Sequence, residues 1–231
     1  MMKKLLVVFF FSAIILFILY KNIKDNKYYY LAIGDALSKG KDSFNNYSNS
    51  YVDYYYEYLT KTRTNVALNK DYQQEDIRIK DLTNLINDTS SNNTLSQAIR
   101  KADVITISIG SEELFSKLRS TKDLSNKEIY EYIDNMFKDM KNLIKTIRKL
   151  NKNDIFIIGY YNPLKDNNQL NTIFSYINDK FLDLEYTLKI KYVEIYNEFN
   201  KQGYKYIPNI NNSFPTQDAY YYIYEQIKKE S

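Results

Sequence analysis

Residues 28–231 predict an α/β domain, a five-stranded parallel sheet with a layer of helices on each face. Three observations carry this. Short apolar runs rich in β-branched residues alternate with longer stretches of helical periodicity, the pattern of parallel strands joined by crossover helices. Two of these runs, "VITISIG" and "IFIIGYY", are apolar nearly throughout, as strands covered on both faces should be. Finally, 231 residues with five Gly and three Pro suffice for one sizeable core and leave little for linkers.

The first element precedes the domain. Leu5–Tyr20, "LLVVFFFSAIILFILY", is an uncharged stretch between lysines, ~24 Å long as a helix. It falls short of the ~20 residues a span usually needs, but snorkelling lysines extend its reach. The following "LYKNIKDNKYYY" offers no small-x-small cleavage site, which favours an uncleaved single-pass anchor over a cleaved signal peptide. Residues 1–27 therefore read as membrane anchor and short linker. Lysines flank both ends, so the very short N-terminal tail decides orientation: tail inside, domain on the extracytoplasmic side of the cell membrane.

Within the domain the expected strands are Tyr28–Ile33, Asn65–Leu68, Val104–Ile109, Ile155–Tyr160 and Tyr192–Ile195. The clearest helix covers Asn126–Leu150, where Ile129, Ile133, Met136, Met140, Ile144 and Ile147 recur at helical spacing. Ser125 and Glu128 form its capping box. Further helices are expected over Asn168–Ile190 and Thr216–Lys229, and no internal repeat is visible. In such sheets ligands bind beyond the carboxyl ends of the strands, so the turns after the first three strands should carry the chemistry.

Composition narrows that chemistry. The chain has no cysteine, which excludes disulfides, thiolate metal sites and a lipidated cysteine. It has no histidine, which removes the commonest general base near neutral pH and the commonest metal ligand. Of 32 basic and 28 acidic residues, five lysines and one aspartate lie in residues 1–27, so the domain itself is neutral. A nucleic-acid partner is not expected of a domain without basic excess.

Five segments stand in a recognisable order: "GDAL" after the first strand, "NVALNK", "IGSEEL" after the third, "GYYNP", and "NNSFPTQDAYYYIYEQI". Together they resemble an SGNH/GDSL esterase–lipase over essentially all of residues 28–229. The resemblance implies the flavodoxin-like three-layer α/β/α SGNH-hydrolase fold with a five-stranded parallel sheet. It also implies where active residues would fall. The nucleophile position is Ala36, the second-block oxyanion glycine Lys70, and the third-block oxyanion asparagine Glu112. In the last block Asn211 and Phe214 replace the acid and the base. On this resemblance the expectation is a divergent family member that is not an enzyme, a pseudoenzyme binding a cell-envelope glycan, lipid or protein through a remodelled cleft. The alternative is an esterase or lipase-type acyl hydrolase with a non-standard active site.

Asp35, Ser38, Lys70, Glu112 and Glu113 are the candidate cleft residues. Ser38 reads as a turn or helix-start residue rather than a substitute nucleophile. Asp35 braces the turn through backbone hydrogen bonds, as the resemblance implies. Asp35, Glu112 and Glu113 have the chemistry of a carboxylate pair or a Mg²⁺/Ca²⁺ site. Adjacent glutamates at a helix start, however, are ordinarily there for the helix dipole, and no metal or cofactor is expected. Lys70 and Glu112 are expected either to pair across the oxyanion pocket, with Phe214 packed toward Ala36, or to stand separately in solvent. The tyrosine triplets at 28–30, 54–56 and 220–222 fit a carbohydrate-stacking surface or, more plainly, a division between core and surface.

Overall fold

The computed structural model describes residues 12, 16, 27–89, 93–120, 125–163, 168–209 and 211–231. The expected anchor at residues 5–20 lies outside these, apart from Ser12 and Leu16. Among the described residues no helix is long and apolar enough to cross a membrane.

Five strands form one sheet, β1 (Tyr28–Gly34), β2 (Val66–Gln73), β3 (Val104–Ser108), β4 (Asp154–Ile158) and β5 (Lys191–Val193). All neighbours are parallel and the order is β2-β1-β3-β4-β5. The order reverses at β1, so the carboxyl ends of β1 and β3 flank the crevice where such sheets bind ligands. β1 and β3 are the most deeply buried strands, with Tyr30, Ala32, Ile33, Ile105 and Ile107 wholly inaccessible.

The helices are α1 (Ala36–Lys39), α2 (Tyr51–Thr62), α3 (Ile79–Asn87), α4 (Thr94–Lys101), α5 (Ser111–Ser120), α6 (Asn126–Leu150), α7 (Asn168–Leu188), α8 (Tyr196–Gln202) and α9 (Gln217–Glu230). Helices α2 and α9 pack together, and α6 packs against α3, α4 and α7. One side of the core is built on Tyr30, Tyr55 and Phe156, with the Tyr30 and Tyr55 rings edge-on at 5.3 Å. Another aromatic cluster joins Phe137, Phe181 and Tyr192, the last two stacked at 5.0 Å. Each tyrosine triplet divides as the strand or helix period requires: Tyr30, Tyr55 and Tyr220 are buried, whereas Tyr29 and Tyr221 are exposed.

α6 has the expected limits, and Ser125 and Glu128 cap it reciprocally. α7 stops at Leu188 rather than Ile190, because Lys189 turns into the left-handed region at φ 52°. The largest departure is β2, which runs on through "NKDYQ" to Gln73. It is an edge strand paired only with β1, so its second half is polar and half-exposed and no apolar run marks it. Its register slips between Leu31 and Ile33, which face Asn69 and Tyr72. The bulge places an extra residue in β2 around Lys70.

Candidate active site

The site begins with two glycines. Gly34 ends β1 at φ +154°, and a Cβ there would lie 2.1 Å from the carbonyl oxygen of Ser108 on β3. Gly110 follows β3 at φ +92°, and a Cβ there would lie 2.3 Å from the Tyr160 hydroxyl oxygen. Only glycine fits either place: the first close approach sets the end of β1 against β3, and the second sets the turn after β3 against Tyr160 beyond β4.

Asp35 caps α1. Its Oδ1 accepts from the Leu37 N–H at 3.1 Å, and its own N–H donates to Ser108 O at 2.9 Å. Ser108 Oγ donates to Oδ1 and Ser111 Oγ to Oδ2, each at 3.4 Å. The carboxyl is 1% exposed. Burial pushes its pKa up to about 7, against the pull of those hydrogen bonds. Ser38 is fully buried and donates to the Asp35 carbonyl at 2.7 Å, a turn-bracing role. Ala36 is likewise wholly buried, at the start of α1.

Glu112 and Glu113 open α5, and Oε1 of the first and Oε2 of the second are buried without a hydrogen-bond partner. Burial, then the charge of Asp35, raises Glu112 to about 8, with Lys41 opposing. Glu113 also accepts from the Tyr132 hydroxyl at 3.5 Å. Asp35 and Glu112 thus keep protons close to neutral pH at one sheet edge.

Glu112 borders a cavity of about 150 Å³ lined also by Leu37, Ser111, Phe115, Ser213 and Phe214, with Arg119 and Asn211 at it as well. Tyr161 holds its far wall by donating to Ser213 O at 2.6 Å. Phe214 lines the cavity with Leu37, the neighbour of Ala36, and Lys41 Nζ sits 5.1 Å from the centre of its ring. Asn211 is exposed at the rim, its N–H bonded to Asn209 Oδ1. Glu112 and Arg119 also border an open polar groove of about 570 Å³, reached by Glu75, Glu113 and Tyr132.

Over the edge lies a strap at residues 40–48. Lys41 Nζ pairs with Glu75 Oε2 at 2.8 Å, Lys39 approaches Glu75 Oε1 at 3.5 Å, and the Tyr47 hydroxyl donates to the same carboxylate. The lysine and tyrosine hydrogen bonds hold Glu75 at about 2. The strap is fastened below by Tyr220, whose hydroxyl donates to Lys41 O at 2.6 Å.

Lys70 is not part of this edge. Its Nζ pairs with Asp53 Oδ1 at 2.7 Å, on the capping box of α2, so Lys70 neither pairs with Glu112 nor stands separately in solvent, the two arrangements the sequence allowed. β2 runs on three residues past Lys70 before it ends, so the residues beside the turn are Gln73–Glu75. There the Gln73 side chain donates to Ser38 O at 2.9 Å and the Gln74 N–H to Gly34 O at 2.9 Å. Sequence reasoning also passed over Ser111, Lys41 and Glu75. Ser111 carried a signal, a hydroxyl directly after a strand-ending glycine. The Lys41–Glu75 pair carried none, because it spans 34 positions and depends on the strap's fold. No cluster of three or more potential metal ligands occurs among the described residues.

The GDSL-like lipase/acylhydrolase model matches residues 30–227. The chain belongs to that family. Its fold is similar to solved structures of GDSL-type and related enzymes. A lipase from a goat rumen metagenome is 19% identical with a TM-score of 0.76, over 87% of this chain and 96% of that one. A catalytic mutant of Axe2, an acetylxylan esterase from Geobacillus stearothermophilus, is 16% identical with a TM-score of 0.65, over 88% and 93%. A lipase/acylhydrolase from Enterococcus faecalis is 10% identical with a TM-score of 0.61, over 88% and 94%. No curated protein matches the chain. Membership of the GDSL-like lipase/acylhydrolase family corrects the expectation of a protein that is not an enzyme, and points to hydrolase activity. The physical reason is visible at the site. Absence of histidine removes one proton carrier, but Asp35 and Glu112 titrate at about 7 and about 8 and offer two others.

Proposed function

We propose that the protein is an acyl-ester hydrolase with a non-standard, carboxylate-based active site, acting on short acyl esters of polar alcohols. The observation that carries this is the 150 Å³ cavity bordered by Ser111 and Glu112, with Asp35 against Ser111. That volume equals roughly five waters, which suits an acetyl-sized group and rejects a long acyl chain. The adjoining polar groove would take the alcohol portion, with Arg119, Glu113 and Tyr132 available for hydroxyl groups. The likeness to an acetylxylan esterase supports short acyl groups on a glycan. Family membership supports ester hydrolysis as the reaction.

Residues 5–20 would tether the domain to the cell membrane, placing it on the extracytoplasmic side where envelope glycans carrying acyl esters are within reach. A glycan is favoured over a lipid because the groove beside Glu112 is polar and the cavity small.

The test is turnover of p-nitrophenyl acetate, butyrate and octanoate by the full chain in mild detergent. Hydrolysis of the acetate above the buffer rate, falling by roughly tenfold or more by the octanoate and lost on denaturation, is expected; a methylene group misfitting a pocket costs about 1–3 kcal/mol. Absence of turnover on all three esters would refute the reading. Membrane association is checked separately, by deleting residues 1–27 and measuring release of the protein from sedimented membranes.

A further inference from the structure

We propose that Ser111 is the nucleophile of this site, with Asp35 as its base and Glu112 as the acid that protonates the leaving oxygen. The proposal rests on the acyl-hydrolase reading above and names the groups that would perform it. Ala36 has no hydroxyl to offer, so the nucleophile must stand elsewhere at the same edge.

Three serines hydrogen-bond Asp35, and only one of them faces the cavity. Ser38 spends its hydroxyl on the Asp35 carbonyl oxygen. Ser108 donates to Oδ1 and does not line the cavity. Ser111 donates to Oδ2 at 3.4 Å and lines it together with Glu112. Its placement follows from the chain. β3 ends, Gly110 turns sharply at φ +92°, and Ser111 is the first residue of α5. Such a strand–turn–helix presents a small side chain over the carboxyl ends of the strands. The N-terminal turn of α5 adds N–H groups without intrahelical acceptors, whose positive end favours an oxyanion beside Ser111. A 3.4 Å contact is long for O–H···O, and hydrogen bonds of this kind tighten when substrate arrives.

The chemistry balances in two steps. As Ser111 Oγ bonds to the acyl carbon, its proton passes to the Asp35 carboxylate. The bond from acyl carbon to alcohol oxygen breaks and Glu112 gives that oxygen its proton. Water then attacks the acyl-serine, Glu112 takes a proton from the water, and Asp35 returns its proton to Ser111 Oγ as the acid leaves. One ester and one water become one acid and one alcohol, and both carboxyl groups end as they began. Asp35 must start ionised and Glu112 protonated, which their order of titration allows between about pH 7 and 8. The charged groups acting on Glu112 are Asp35, Lys41, Asp76 and Glu75.

The experiment treats the full chain with a fluorophosphonate, maps the adduct by peptide mass spectrometry, and compares p-nitrophenyl acetate turnover by the protein and its Ser111→Ala variant. Expected are a single adduct on Ser111 and a loss of roughly 100-fold or more in turnover by the variant. If the unmodified protein hydrolyses the ester while Ser111→Ala keeps its rate within about twofold, Ser111 is not the nucleophile though the hydrolase reading stands. If the unmodified protein does not hydrolyse it, both fail. Should Ser111→Ala not fold, the adduct decides: attachment at another residue, or none in a protein that turns over, overturns the assignment.

Discussion

Glu75 and Glu112 stand at the same sheet edge and meet opposite fates. Glu75 lies on the strap side, partly exposed, where Lys41, Tyr47 and Lys39 crowd its oxygens and hold it at about 2. Glu112 lies on the cavity side, its Oε1 buried without a partner and a second carboxyl close by, and is lifted to about 8. The same side chain is an ion-pair anchor in one place and a proton carrier in the other. What differs is desolvation and the sign of the neighbouring charge, not the residue. The strap is therefore built from side-chain pairs that solvent screens, whereas the cavity edge is built on backbone that admits no slack.

The sharpest way to break that contrast is to add a methyl group beneath the cavity edge. Gly34→Ala would set a Cβ 2.1 Å from Ser108 O at a φ that suits only glycine. A loss of about 3–5 kcal/mol is expected, or roughly 10 °C in melting temperature, whereas strap variants should move it by about 1 kcal/mol or less. An unchanged melting temperature in Gly34→Ala would show that the end of β1 is not set against β3 as described.

Next in size is Glu112→Gln, which removes the proposed acid. Turnover should fall by roughly 100-fold, and Glu75→Gln, measured in parallel, should retain most of it. Equal losses in the two variants would erase the functional distinction between the carboxylates.

Stability against pH sharpens the same comparison. Asp35 and Glu112 have folded-state pKa values above their unfolded ones near 3.8 and 4.5, so the native state binds protons that the unfolded state releases. Their contribution is greatest below about pH 4, falls as pH rises and is gone by about pH 8. Glu75 acts in the opposite sense, since its depressed pKa stabilises above about 4.5 and the effect is lost as pH falls toward 2. Melting temperature should therefore decline between about pH 5 and 8, and Glu112→Gln should flatten that decline. A melting temperature that rises over this interval, or a variant with the same slope as the parent, would count against the buried pair.

The smallest effect belongs to Lys41→Met. It loosens the strap by about 1 kcal/mol or less. It also removes the positive charge that opposes the rise at Glu112, moving the alkaline limb of the activity profile to higher pH. A limb shifted to lower pH would contradict the placement of Lys41 near Glu112.

Much of this fold is legible in the sequence, because buried parallel strands and amphipathic helices leave unmistakable periods. β3, β4 and α6 fall where "VITISIG", "IFIIGYY" and the capping box put them. β2 is only half legible, for its outer portion is polar and its bulge leaves no local mark. Because β2 continues to Gln73, Lys70 stays within the strand and pairs with Asp53 instead of reaching the cavity. Asp35 and Glu112 follow strands that the sequence marks plainly, yet their protonation depends on burial that no linear pattern records. The contact of Ser111 with Asp35 is not legible in the sequence, because it joins residues 76 positions apart.

The most direct measurement is a ¹³C-NMR titration of side-chain carboxyl groups in the full chain, with Glu112→Gln and Asp35→Asn used to assign the two resonances. Midpoints near 7 for Asp35 and near 8 for Glu112 are expected, with Glu75 still ionised at pH 4. A midpoint for Glu112 near 4.5, the ordinary value for a solvated glutamate, would mean that Glu112 carries no proton at neutral pH. The proposed division of labour between Asp35 and Glu112 would then be wrong.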